Sequence, residues 1–548
     1  MEEHTVVSKE KKSRFLLYCL VFMLTSLWIF SLTYNFNFFW EDSSYSPYFE
    51  VEEGRTATSI TAQIAKIIVH PQSFLFAVGY GYRPLNDIYF IFFPTIFGTN
   101  IVYYKMFKII LGGILFVLCF RFFMAENHQK EKQAALSEHS IFCLLGISYI
   151  MVLPEFWLFS LYLIDSMLFA TVMEMVALWL FFFHYLPDNN SSRKYMFVFA
   201  GIVFFTHVAT LTRHFGRINF LLIFLFLLLT ERKKLLSKRM LVLISALFII
   251  SVPIVGILTT GDVLGATGLK AHTGAEGWVQ LLLGNLYYFK TLHLSFLSHA
   301  VFLVMLFVVF FALHIYARWF RKEKENEERL ETNELHKSLK QLTLFSLLWF
   351  LLTSFTLFIA RGFVFDRTSF LRLEFMVFLI PQTLFLISYG YYVYQRYFSK
   401  KKVIKGLLYL FIILAILHNT VRLNEWRGGW GAYFLGYDTV RQYVDDNAEH
   451  AVLLFPFDHA LPAYFFSADN TNAGAMEQEQ TNTTLLLTYK QNYTRVFITN
   501  RYELFFNESF VANIANLTIT DNSPYGMLKK ALGKYYKSPM YVYEVQSQ

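Results

Sequence analysis

Apolar runs of about the twenty residues needed to cross a bilayer recur along most of this chain, and that repetition limits the fold more than any other feature. The first run, 15–34, is followed by others at 101–120, 140–154, 163–184, 195–211, 217–230, 240–258, 296–317, 341–360, 371–395 and 403–420. A single soluble core cannot bury so many. Composition agrees: 55% of the 548 residues are hydrophobic and 16% charged, where ordinary globular domains carry roughly 25% charge. With 26 Gly, 12 Pro and 3 Cys, collagen-like, disordered and disulfide-scaffold classes are excluded. The expected fold class is an all-α polytopic membrane protein of about eleven transmembrane helices. The stretch 195–230 is too short for two full spans and predicts two brief helices, or one span plus a partial one.

Charge gives the expected orientation. Lys9, Lys11, Lys12 and Arg14 precede the first run, and no small-residue cleavage site is evident before Asn35, so the reading is an uncleaved first helix with a cytoplasmic N-terminus. On this topology 26 of the 38 Lys and Arg before residue 421 fall on the 85 residues of 1–14, 121–139, 185–194, 231–239, 318–340 and 396–405. These are the segments expected on the cytoplasmic side. An odd number of spans then places 421–548 outside.

That last segment has a different character, with ten Lys and Arg against thirteen Asp and Glu. Short apolar strings at Ala451–Phe457 and Thr494–Thr499 predict strands, and 438–448 and 525–536 predict helices. The domain division is therefore 1–420, a transmembrane domain, and 421–548, a small extracytoplasmic α/β domain. Asn-Xaa-Ser/Thr triplets at Asn482, Asn492, Asn507 and Asn516 fall in the second. Cys19, Cys119 and Cys143 all sit in or beside apolar spans, so neither a disulfide framework nor a thiolate metal site is implied.

Charges near the exterior membrane face are the informative ones. Glu41 and Asp42 directly follow the first helix. An adjacent carboxylate pair at a membrane boundary supplies a general base, a metal ligand, or both; equally it is a solvated loop beside the interfacial Trp40. The same loop runs about 65 residues, includes a predicted amphipathic surface helix at 55–70, and ends at Gly79–Asp87. Arg83 precedes Pro84, which disfavours helix at that residue. It reads as a fixed cation facing phosphate, or as an interfacial Arg against lipid headgroups. Arg213, His214 and Arg217 lie between two short spans; Arg361, Asp366, Arg367 and Arg372 surround the start of another. Five Arg on the side where few are expected suits a membrane-embedded phosphate or pyrophosphate, which guanidinium groups grip bidentately. Internal ion pairs such as Asp366–Arg367 are the competing account. Asp165 stands at the outer end of 163–184, and Glu174, deeper in that span, needs a partner. There is no phosphate-binding Gly loop, dinucleotide fingerprint, His-Glu-Xaa-Xaa-His helix or nucleophile elbow, and His272, His293 and His299 lack ligand spacing. A soluble nucleotide-driven enzyme is disfavoured, and no nucleic-acid partner is expected.

Together these residues resemble the C-type glycosyltransferase superfamily (GT-C fold), multispanning enzymes that use polyprenyl-phosphate sugars. Within it the chain looks most like the branch holding protein O-mannosyltransferases, lipid A aminoarabinose transferases and cadherin-directed O-mannosyltransferases. Glu41-Asp42-Ser-Ser-Tyr45 resembles the family's acidic motif after the first helix. Tyr82-Arg83-Pro84-Leu85, with Phe97-Gly98 and Tyr103, is similar to a Tyr-Arg-Pro-Leu segment of the cadherin-directed enzymes. Leu153-Pro154-Glu155 followed by Leu163-Ile-Asp165-Ser resembles the family's Pro-rich turn and aspartate, and Arg372–Pro381 its Arg-Tyr-Leu-Leu-Pro-type helix. The likeness covers about 15–420. It departs in having Glu first in the acidic pair and Arg213-His214 where relatives often carry Lys-Glu.

The resemblance implies transfer of a sugar, hexosyl or pentosyl, from a polyprenyl-phosphate-linked donor to a hydroxyl on a protein, glycan or lipid acceptor at the outer membrane face. Glu41 or Asp42 would be the general base, and Asp165 would orient the acceptor or a cation. Arg83, Arg372 and Arg361, with Arg213 and Arg217, would bind donor phosphate. A divalent metal at Asp42 is an optional cofactor, and membrane lipids are partners. The alternative is a transporter or flippase of a lipid-linked saccharide; no repeat symmetry of the transporter kind is evident.

Overall fold

The computed structural model describes residues 2–33, 84–97, 100–124, 138–152, 166–187, 192–251, 308–316, 334–360, 374–398, most of 403–423, and strands between 451 and 547. The helices are α1 (Glu2–Thr33), α2 (Pro84–Phe97), α3 (Ile101–Met124), α4 (Glu138–Met151), α5 (Met167–Leu180), α6 (Ser192–Thr212), α7 (Asn219–Thr230), α8 (Lys238–Ser251), α9 (Glu334–Ala360) and α10 (Glu374–Val393). A further apolar helix, α11, covers Lys405–Val421. Four segments are long and apolar enough to cross a bilayer: Phe15–Thr33, Val102–Met124, Met167–Tyr185 and Lys194–Thr212. Ile141–Met151, Gly216–Thr230 and Ser338–Thr353 are apolar but shorter. The 195–230 stretch folds as one full span and a shorter helix, joined by a 3₁₀ turn at His214–Ile218. One helix was not expected: the segment read as the end of the first exterior loop turns helical at Pro84, a residue whose missing N–H costs nothing at the first helical position.

The side chains are arranged as a membrane requires. Large apolar residues face outward, Phe15, Leu27, Phe197 and Phe204 among them, while Thr25, Thr171, Ser346 and Glu174 are buried between helices. Buried hydroxyls bond back into their own helices, Thr25 Oγ1 to the Val21 carbonyl at 2.8 Å, Thr171 Oγ1 to that of Met167 at 2.8 Å, and Ser346 to that of Leu342. These three hydroxyls are thereby satisfied without water.

Helices approach closely where small residues allow it. A Cβ added at Gly112 would come 2.3 Å from Ile29 of α1, and one at Gly113 2.6 Å from the Phe22 ring. Trp28 Nε1 donates to the Met151 carbonyl at 2.9 Å, tying α1 to the end of α4. Deeper in the bundle Phe122, Phe182, Phe226 and Phe345 form one aromatic cluster, with ring centroids 5.4 Å apart for Phe182–Phe345 and for Phe226–Phe345, and 6.4 Å for Phe122–Phe345. It joins α3, α7, α9 and the π-helical turn Phe181–Tyr185 that extends α5.

Residues in or beside the segments expected on the cytoplasmic side meet one another. The Arg121 guanidinium lies 4.9 Å over the Phe183 ring and donates to the Tyr18 hydroxyl at 3.4 Å. Tyr185 shares a hydrogen bond with Tyr195 and donates to the Arg239 carbonyl at 2.9 Å. Gln341 Nε2 donates to Glu231 Oε1 at 3.4 Å. Residues from five separate positions along the chain thus share one end of the bundle.

After α11 come β1 (Ala451–Pro456), β2 (Thr471–Met476), β3 (Arg495–Asn500), β4 (Phe510–Thr520) and β5 (Lys537–Ser547), in sheet order β2-β1-β3-β5-β4. The two strands expected from sequence are present within one residue at each end. β1 pairs in parallel with β2 and β3, while β5 runs antiparallel between β3 and β4. Arg495 Nε contacts Glu544 Oε1 at 2.5 Å across β3 and β5, and its guanidinium lies 5.1 Å from the Phe497 ring centre. Asn516 of one glycosylation triplet is on β4, opposite Tyr541. The helices expected at 55–70, 438–448 and 525–536 lie outside the described residues, as do the triplets at Asn482, Asn492 and Asn507.

Candidate functional site

Three segments far apart in sequence come together at the start of α2, the start of α5 and the end of α6. Asn86 is in the first turn of α2, and it is buried. Ser166 occupies the N-cap of α5 with φ −78° and ψ −3°, yet its hydroxyl makes no capping bond. It donates instead to Asn86 Oδ1 at 2.5 Å. The common use of a serine at this position, to satisfy a free backbone N–H of the first helical turn, has been given up for a tertiary contact.

Arg213 completes the chain of bonds. The backbone leaves α6 there, extended at φ −145° and ψ 145°, while its N–H still closes on the Ala209 carbonyl at 2.8 Å. Its Nε donates to Ser166 Oγ at 3.2 Å. Ser166 therefore accepts from a cation and donates to an amide oxygen, and this pairing fixes the direction of the hydroxyl proton.

The following turn is folded back hard on α6. At Gly216 a Cβ would stand 2.7 Å from the Thr206 carbonyl oxygen and 2.9 Å from the Thr210 nitrogen, both backbone atoms that cannot move aside. Asn219, fully buried, donates to Thr206 Oγ1 at 3.5 Å and anchors the start of α7 to the same part of α6. This turn touches α5, α6, α7, α8 and α9, so the half-buried Arg217 on it is carried at a junction of five helices.

Glu174 lies further along α5, with 1% of its surface exposed. Neither carboxyl oxygen makes a hydrogen bond of good geometry among the described residues; the buried indole N–H of Trp349, likewise without one, is the group it interacts with. The partner required on sequence grounds is not supplied by a cation of the described residues.

Of the candidates named from sequence, Arg213 is placed at the head of the turn and Arg217 within it, and Arg213 is joined to Ser166 and through it to Asn86. Glu41, Asp42, Arg83, Asp165, Arg361 and Arg372 lie outside the described residues. Among the described residues no group of three or more His, Cys, Asp or Glu is gathered as a metal site would require. Asn86 and Ser166 were not singled out in advance. The signal available was position: Ser166 follows Asp165 directly, and Asn86 lies three residues after Arg83.

No family model matches the chain, and no curated protein matches it. Among solved structures, ArnT from Cupriavidus metallidurans in the apo state aligns over 96% of this chain and 97% of its own, at 11% identity and a TM-score of 0.37. A likeness of that size is too low to carry an argument about activity.

Proposed function

We propose that this chain is an integral-membrane glycosyltransferase that moves a sugar from a polyprenyl-phosphate-linked donor to a hydroxyl acceptor at the outer membrane face by single displacement. The observation that supports this reading best is the Asn86–Ser166–Arg213 connection. It ties together the segments that carry three of the sequence candidates: Arg83 stands three residues before Asn86, Asp165 one before Ser166, and Arg213 is itself a member.

In the proposed reaction, Glu41 or Asp42 takes the proton of the acceptor hydroxyl as it attacks the anomeric carbon. The bond to the donor phosphate breaks on the opposite face, and negative charge grows on the leaving phosphate. Cations fixed before the reaction stabilise that charge without reorganising. Arg213, bonded to Ser166, is one such cation, with Arg217, Arg83, Arg361 and Arg372 in the same role. Asp165 orients the acceptor or a cation. A divalent metal, if bound, would be held by Asp42 and would supply positive charge to the leaving phosphate.

The test uses purified full-length chain in liposomes with a labelled polyprenyl-phosphate sugar and acceptor. Acceptor-dependent release of free polyprenyl phosphate is expected. Asp42→Asn and Glu41→Gln, made singly, should include one variant whose turnover falls at least about a hundredfold, the lower end for loss of a general base. Movement of intact donor across the bilayer without cleavage would replace this reading with that of a transporter.

A further inference from the structure

The turn 231–237 joins α7 to α8 at the same end of the bundle as Arg121 and Tyr195, and it is densely basic. Arg232, Lys233, Lys234, Lys238 and Arg239 accompany a single carboxylate, Glu231. Two of these cations have internal tasks. Lys234 Nζ lies 3.6 Å from Glu231 and donates to the Leu186 carbonyl at 3.2 Å, while Arg239 is stacked 4.8 Å from the Tyr195 ring centre. Arg232 holds the Leu228 carbonyl at 3.1 Å through Nε but remains exposed. Lys233 and Lys238 are exposed with no carboxylate in reach among the described residues.

An apolar furrow begins at this patch. Its first hollow, about 530 Å³, is lined by Leu236, Lys238, Leu241, Val242, Ser245 and neighbours. A second, about 510 Å³, lies between α7 and α8, with Phe220 and Phe224 on one wall and Ser245, Phe248 and Ile249 on the other. Ser245 and Ile249 line both, so the two adjoin along α8. From Lys238 to Ile249 the helix rises roughly 16 Å at 1.5 Å per residue. One leaflet of hydrocarbon is about 15 Å thick, half of a ~30 Å bilayer core. The furrow thus has the length of one lipid tail, and the only charged group lining it, among the described residues, is a cation at its end.

We propose that this α7–α8 furrow binds an anionic phospholipid of the adjoining leaflet, its acyl chain lying along Leu241, Val242, Ser245 and Ile249 and its phosphate held by Lys238 and Lys233. A zwitterionic lipid fills the same furrow, but its own ammonium offsets the attraction to the lysines. Its phosphate end lies at the start of α8, away from the turn that carries Arg217, and the proposal does not depend on the donor site.

The experiment is native mass spectrometry of the purified, delipidated full-length chain, given phosphatidylglycerol or phosphatidylcholine at equal concentration. Phosphatidylglycerol adducts are expected to survive activation that strips phosphatidylcholine. The double substitution Lys233→Gln with Lys238→Gln should lower phosphatidylglycerol retention roughly tenfold or more, from the loss of two surface cations. Ser245→Trp, an exposed position shared by both hollows, should lower it with every lysine in place. Unchanged melting temperatures identify both variants as folded; an early-melting lysine variant is replaced by Lys238→Gln alone and an early-melting Ser245→Trp by Ser245→Phe, each with a smaller loss expected in the same direction. Equal retention of the two lipids, or wild-type retention by the double variant, overturns the proposal. Loss with the lysine variant but not with Ser245→Trp reduces the site to a headgroup patch and overturns the furrow.

Discussion

Arg213 and Ser166, 47 residues apart, are joined by a 3.2 Å bond from Nε to Oγ, and the same serine donates its own hydrogen bond to Asn86 Oδ1. A hydroxyl placed at a helix N-cap has become the junction between a cation and a buried amide. The arrangement is one in which a small change at an uncharged residue is felt by the arginine.

Ser166→Ala removes that junction while leaving both neighbours in place. Hydrogen bonds involving a charged group contribute about 1.5–3 kcal/mol, so a loss of thermal stability of that order is expected in detergent. On the proposed function, turnover of the labelled donor falls as well, and Ser166→Thr restores part of both. A wild-type melting temperature and wild-type turnover in the alanine variant would show that the junction has no role.

At Gly216 the space for a side chain is taken by backbone. An added methyl would press on the Thr206 carbonyl oxygen at 2.7 Å, and overpacking of this kind costs about 1–3 kcal/mol. Gly216→Ala should therefore lower the melting temperature and displace the turn that carries Arg213 and Arg217. Gly406, with nothing within 4 Å of an added Cβ, serves as the control: Gly406→Ala should not destabilise.

Glu174 predicts the opposite sign. A buried carboxyl without a hydrogen-bond partner costs stability in any protonation state, and replacing such groups by apolar side chains of similar size is often neutral or favourable. Glu174→Met should melt at the same temperature as wild type or higher. A clear drop would mean that Glu174 has a partner in the folded protein that the described residues do not include.

The ion pair of the sheet is expected to matter little. Arg495 and Glu544 keep 36% and 20% of their side-chain surface exposed, and pairs in contact with water are typically worth about 0–1 kcal/mol. Glu544→Gln should shift the stability of the strand region by less than about 1 kcal/mol in hydrogen-exchange measurements. Arg495 retains its position over Phe497 in that variant.

Much of the architecture follows from the sequence because a bilayer leaves so few choices. A run of apolar residues in lipid must satisfy its own backbone, so it becomes a helix, and α1, α3, α5 and α6 sit where hydropathy places them. β1 and β3 were legible for a similar reason, as short apolar strings set between polar segments. α2 was missed because its 14 residues follow a stretch that reads as loop in the sequence and begin with Pro84, which reads as punctuation until the helix it starts is seen. The parallel pairing of β1 with β2 was not readable either, since Thr471–Met476 carries two Ala and a Gly and little β preference.

The candidate site divides along the same line. Charge in the wrong place is a local property of the chain, and it makes Arg213 and Arg217, with Arg83, Arg361 and Arg372, candidates without a structure. That an uncharged serine links one of them to a third segment is a matter of proximity between residues 80 and 47 positions apart. No local pattern encodes such a meeting, because it depends on how the helices pack. The solvent therefore determined which segments became helices, and the packing of those helices decided which of their polar residues meet.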